Sequence, residues 1–233
     1  MVSTPAILEL RDVRYHWPGQ NAFGLHVPEL NLAPAETVLL LGESGSGKST
    51  LLSLICGTII AQAGRVCVAG DDIAALSAGR RDRFRAEQIG LIFQQFNLLP
   101  FASVRDNVML PLQFSPQRRR RVADANLEVE RLCRALGLPE GVTSARAGAL
   151  SVGQQQRVAA ARALIGTPPL IIADEPTSSL DAASQSTFLE LLFNQSRAHG
   201  TTLLMVSHDA RLAGQFDRVI EMADIAQSLR AAA

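Results

Sequence analysis

The sequence predicts an α/β fold, a parallel or mixed sheet covered by helices. Two patterns point to it. Short apolar runs that end in turn or glycine signals alternate with helical patterns along the chain. One of these runs, 37–41, passes through a glycine-rich loop straight into a helical pattern at Leu51, Leu52, Leu54 and Ile55. Composition permits such a fold. A chain of 233 residues is one large domain or a compact core with a modest insertion, and 47% hydrophobic against 19% charged residues can bury a sizeable core.

Strands are expected near 7–13, 37–41, 65–69, 89–93, 170–173, 202–206 and 219–222, where short apolar runs are bounded by turn residues. The stretch from about 94 to 153 reads differently. It holds helix-like patterns at 104–110 and 118–136 and few strand candidates, so a helical insertion within the α/β core is the economical expectation. No long repeat and no sustained heptad register is present.

Lys plus Arg equals Asp plus Glu at 22 each, which removes any global electrostatic reason to expect nucleic acid as a partner. The arginine runs Arg80, Arg81, Arg83, Arg85 and Arg118 to Arg121 are expected to be solvated faces. The apolar stretches at 37–41 and 51–61 fall far below the roughly 18 residues of a membrane span, and Met1 to Arg11 lacks the pattern of a signal peptide. A soluble, intracellular chain is the expectation. Cys56, Cys67 and Cys133 are odd in number, widely spaced and set among apolar neighbours, as buried thiols are. The closing alanines, Ala231 to Ala233, carry no readable role.

Gly42, Glu43, Ser44, Gly45, Ser46, Gly47, Lys48, Ser49 and Thr50 form a glycine loop between a strand and a helix closed by Gly57, the context of a P-loop. The glycines let successive N–H groups and the positive helix end face a pyrophosphate. Lys48 can reach the β and γ phosphates, and the Ser49 hydroxyl can complete a Mg²⁺ shell. Asp174 and Glu175 end the apolar run 170–173, where parallel sheets concentrate ligand chemistry. Two such acids alone are more often solvated turn residues. Beside a P-loop, Asp174 is suited to hold the water shell of Mg²⁺ and Glu175 to polarise an attacking water. Ser151 and Gln154 fit a capping box that opens a helix ended by Gly166, Pro168 and Pro169. With Gly153, that helix end would also suit a γ phosphate, one held by another subunit since the chain has its own P-loop.

The order of these motifs, with Phe93-Gln94, Ser179-Leu180-Asp181 and Val206-Ser207-His208-Asp209, resembles the ATP-binding-cassette (ABC) ATPases over nearly the whole chain. That resemblance implies a P-loop core over 1–93 and 158–233 with an antiparallel β side sheet, and an inserted helical subdomain over 94–157. By the same resemblance Trp17 stacks on adenine, with Tyr15 as the alternative. Gln94 approaches Mg²⁺ and the attacking water, His208 contacts the γ phosphate, and Asp181 crosses to the partner's site.

The cofactors implied are ATP and Mg²⁺, sandwiched in pairs between this subunit and a second ATPase subunit, taken as an identical copy. An integral membrane permease would be the further partner, placing the chain peripherally on the cytoplasmic face of the cell membrane. The segment from Phe93 to Leu112 looks most like the lipoprotein-release and macrolide-export branch, with polar amino acid importers similar there. Phe96, Leu98, Leu99 and Phe101 would form an apolar lip for a permease helix. The alternative, also met among relatives, is an ATP-gated module that regulates an envelope enzyme through a membrane protein without moving solute. One departure stands out: Val152 replaces the first glycine of the usual Leu-Ser-Gly-Gly-Gln signature, so a position expected to need glycine's freedom carries a β-branched side chain.

Overall fold

A computed structural model describes residues 5–18 and 23–230, for 228–230 the backbone alone. Met1 to Thr4 and the alanines Ala231 to Ala233 lie outside the described residues. In chain order the elements are β1 (Leu8–His16), β2 (Phe23–Leu32), β3 (Thr37–Leu41), α1 (Lys48–Ile55), β4 (Ala63–Val68), β5 (Asp71–Asp72), α2 (Ala78–Gln88), β6 (Ile89–Ile92), α3 (Val104–Phe114), α4 (Pro116–Arg120), α5 (Ala125–Ala135), α6 (Val152–Leu164), β7 (Leu170–Asp174), α7 (Ala182–Ala198), β8 (Thr202–Ser207), β9 (Arg218–Glu221), α8 (Met222–Ile225) and β10 (Gln227–Arg230). The chain divides into two compact units, one formed by residues up to 85 with those from 204 onward, the other by 86–203.

The first unit carries an antiparallel sheet in the order β10-β2-β1-β4-β5. β2 is not among the strands expected from the sequence, and its residues show why. Its buried side chains, Leu25 and Val27 and then Leu30 and Leu32, break the two-residue period at Pro28-Glu29, which reads as a turn. The partner strand breaks in step, since Leu8 and Leu10 are followed by Val13. Leu10 pairs with Leu30 and Val13 with Val27 in one unbroken register, and the bulge at Asp12, with φ 46, lies on the β4 side, where the pairing shifts between Arg11 and Arg14. Gly64 on β4 faces this bulge, where any Cβ would collide with the Asp12 carbonyl. In the same unit β3 pairs in parallel with β9, and β8 is its neighbour on the other side. All five residues of β3 are buried, as suits a strand covered on both faces.

In the second unit β6 and β7 pair in parallel, Ile92 opposite Ala173. The helix α6 packs on α3, α5, α7 and β6. Its alanines Ala159, Ala160, Ala161 and Ala163 are buried, and Gly90 of β6 lies so close that a Cβ would strike the Ala163 carbonyl. The stretch expected as helical over 118–136 is two helices. Asp124 stops the pattern and caps α5, accepting from the N–H groups of Asn126 and Leu127.

One expectation fails here. Arg118 is not on a solvated face but fully buried, donating from Nε to Ile165 O (2.8 Å) and from Nη2 to Ala163 O (2.7 Å) at the C-terminal end of α6. Those carbonyls have no partner within the helix and carry the negative end of its dipole, which draws the guanidinium in. Burial brings its pKa down to about 9. All three cysteines are buried free thiols, as expected. Among the described residues no helix is long and apolar enough to cross a membrane.

Candidate active site

In the first unit β3 leads into the glycine loop from a fixed origin, because Asp217 accepts from both the Thr37 N–H (2.8 Å) and its hydroxyl (2.6 Å). Two of the loop glycines are required by conformation. Gly45 has φ 80, and Gly47, with φ 101, is the N-cap of α1, packed so that a Cβ would lie 2.9 Å from Leu25 and Phe23 side-chain atoms. Lys48 opens α1 and folds back, its Nζ donating to Gly42 O (2.5 Å) and Glu43 O (2.8 Å). It is buried, and it is the only lysine of the sequence, every other basic residue counted with it being arginine.

The Ser46 hydroxyl is buried without a hydrogen-bond partner, and α1 has neither a side-chain cap nor an acid in its first turn. Helix amides, a buried hydroxyl and an ammonium thus share one concave loop, a donor set that fits a polyphosphate. Glu43, Ser44, Gly45 and Ser49 are exposed, while Thr50 is buried. Thr50 Oγ1 accepts from Trp17 Nε1 at 3.1 Å, and Tyr15 meets the Trp17 ring edge to face at 5.2 Å. Trp17, 41% exposed, is therefore tied to the first turn of the phosphate-loop helix.

His208 follows β8 and is exposed, so it and Gly42 leave neighbouring strands. Beside it Asp209 accepts from Arg211 Nε and Nη2, each at 2.8 Å, and this pairing lowers the carboxylate to about pKa 2.

The second unit brings the other candidates together. Gln94 lies two residues beyond β6, and Asp174 ends the adjacent β7, so both stand at the C-terminal ends of paired parallel strands. Glu175 follows at φ 44, a left-handed conformation unusual for a residue with a side chain. Gln156 of α6 pins the next residue, its Nε2 donating to Pro176 O at 2.7 Å. Among the described residues no cluster of three or more His, Cys, Asp or Glu side chains could hold a metal by itself. The Ser49 hydroxyl, the Gln94 amide oxygen and the Asp174 carboxylate are hard oxygen donors of the kind Mg²⁺ takes beside phosphates.

The capping box is formed as the sequence predicts: Gln154 N donates to Ser151 Oγ (3.3 Å) and Ser151 N to Gln154 Oε1 (3.0 Å). Val152 is the first helical residue, half exposed and without positive φ, so the conformational freedom expected to be missed at this position is not needed. Gly153 sits beside Leu180, whose side chain would be 4.0 Å from an added Cβ. Asp181 caps α7 in its own chain, accepting from the Ser184 N–H (2.9 Å) and hydroxyl (2.7 Å), which lowers its pKa. Of the expected apolar lip, Leu99 and Phe101 are exposed, whereas Phe96 is buried in the unit's interior. Gln156 and Arg162, which bind backbone around these positions, are not singled out by the sequence reading, and Arg118 is read there as solvated. For Arg162 the available signal is an arginine set inside a run of alanines.

A parallel strand, a glycine loop over a helix N-terminus and a pair of acids at a second strand end define a P-loop nucleotide-binding protein of the α/β class. Residues 25–178 match the ABC transporter family, and the chain belongs to that family, among its ATP-binding-cassette ATPases. It is 43% identical over 225 residues to the lipoprotein-releasing system ATP-binding protein LolD of Anaeromyxobacter dehalogenans, covering 96% of this chain and 92% of the relative. It is 39% identical over 203 residues to the macrolide export ATP-binding/permease protein MacB of Rhodopirellula baltica, 86% of this chain but 29% of that protein. A dimeric ATP-binding cassette in a post-hydrolysis state, bound to ADP and Pi, superposes with a TM-score of 0.79 at 32% identity, covering 92% of this chain and 93% of that one.

Proposed function

We propose that this ATPase pairs with a second copy around two Mg·ATP and drives a separate membrane permease of the lipoprotein-release or macrolide-export type, at the cytoplasmic face of the membrane. The observation that carries the reading is the exposed, intact capping box of α6 in a chain that already has a phosphate loop of its own. The names of the relatives, a dimeric neighbour and a lipoprotein-releasing ATP-binding protein among them, support it.

ATP brings the electrophilic γ phosphorus, and Mg²⁺ the charge that offsets its oxygens. The chain's residues do the rest. Lys48 and the amides of Gly42 to Thr50, Glu43 to Gly47 included, bind the phosphates, and Trp17 stacks on the base. Ser49, Gln94 and Asp174 would supply oxygens to hold Mg²⁺. Glu175 accepts the proton of the attacking water, Gln94 orients it, and His208 contacts the γ phosphate. Ser151, Gly153 and Gln154 of one copy close over the phosphate held by the other, with Asp181 beside them, so closure is favoured while the γ phosphate remains. In this reading 94–157 is the helical subdomain that meets the permease through Leu99 and Phe101, and 1–93 with 158–233 is the catalytic core.

Glu175→Gln removes the proton acceptor and leaves the binding groups. Light scattering of that variant with Mg·ATP should report twice the monomer mass, and a mass that stays monomeric refutes the paired assembly.

A further inference from the structure

Arg162 lies toward the far end of α6 from the capping box, in a run of alanines, and is buried. Its Nη1 donates to Asn97 O at 2.6 Å and its Nη2 to Phe96 O at 2.5 Å. Both receiving residues are left-handed, Phe96 at φ 59 and Asn97 at φ 49, and neither is glycine. Two such residues in succession are strained and persist only where the surroundings hold them. The buried Phe96 ring is one hold, and the Arg162 fork is the other. Phe96 N donates to Phe93 O (2.9 Å) and Asn97 N to Gln95 O (2.6 Å), so Gln94 lies inside the hydrogen-bonded turn that Arg162 grips.

We propose that Arg162 is a positioning residue for Gln94: its guanidinium fork locks the left-handed Phe96–Asn97 turn to α6 and thereby fixes where the Gln94 amide stands. This rests on the role given to Gln94 above. The helix that begins at Ser151 then carries the Gln94 turn with it, and a displacement at the capping box is felt at the catalytic glutamine without passing through ligand. A lysine at 162 offers one flexible ammonium in place of the rigid planar fork, so it holds the two carbonyls less firmly.

The test is Mg²⁺-dependent ATPase kinetics of the full chain. Arg162→Lys should melt within a few degrees of the parent and keep KM for ATP within about twofold, while kcat falls about tenfold. Gln94→Ala should also lower kcat, and the double variant should be no slower than Gln94→Ala within about twofold, because the two side chains act as one unit. Unchanged kcat in Arg162→Lys, or losses that multiply in the double variant, overturns the proposal and leaves the role of Gln94 standing. Full kcat in Gln94→Ala overturns both. If Arg162→Lys does not fold, Asn97→Val decides, since a β-branched residue disfavours the left-handed turn while its exposed side chain removes no core packing. Lowered kcat at constant KM supports the clamp, and unchanged kcat overturns it.

Discussion

Val152 is the one position where the signature departs from its relatives' usual residue, and its geometry removes the reason for alarm. It occupies the first turn of α6 with ordinary helical backbone, and its side chain points into open surface rather than into the capping box. Val152→Gly should therefore leave turnover equal or raise it by relieving bulk near the phosphate path. A large loss would assign the valine a positive role. The cysteines make a second, purely chemical prediction. Burial pushes the thiols of Cys67 and Cys133 up, Cys133 to about 11, and it is the thiolate that reacts. At pH 8 only about one part in a thousand of a pKa 11 thiol is ionised. Ellman's reagent should thus find the native protein nearly silent, with three thiols appearing on unfolding; rapid native labelling would contradict the burial of Cys56, Cys67 and Cys133.

The helix α6 concentrates more of the architecture than its length suggests. Its start is capped by Ser151 and Gln154, its Gln156 holds Pro176, its last turn holds the Phe96–Asn97 turn, and its end is closed by Arg118. Arg118→Met keeps much of the volume but strands the carbonyls of Ala163 and Ile165 in the interior, which should lower the unfolding free energy by about 3 kcal/mol in urea titration. A variant as stable as the parent would mean that desolvating the cation cancels its hydrogen bonds. The sequence shows the start of this helix and not its other attachments, for a physical reason. A capping box is local, written in residues three apart, whereas Arg118 finds its acceptors 45 and 47 residues away, and no short-range pattern records such a meeting. In a run of arginines a buried member looks like its solvated neighbours. β2 is illegible for the opposite reason: its local pattern is present but shifted by one at Pro28, and only β1, whose pattern shifts in step at Asp12, keeps the two strands in register.

Over the chain as a whole, each unit brings its own half of the chemistry: the phosphate loop, Trp17 and His208 in the first, Gln94, the acids Asp174 and Glu175 and the capped helix in the second. Those groups were readable because phosphate chemistry demands particular residue types at fixed spacing, while the scaffolding that aims them is free to vary. Basic residues show the same contrast. Twenty-one of them are arginines, and the twenty-second is Lys48. An endoproteinase specific for lysine consequently has one bond to attack, between Lys48 and Ser49, at the heart of the nucleotide loop. Mg·ATP should slow that scission strongly by stabilising the loop against local opening, Lys48→Arg should abolish it, and equal rates with and without ATP would argue against the loop as the binding place. A one-cut digest on a gel is then a direct occupancy gauge, with two fragments marking the empty molecules and a single intact band the loaded ones.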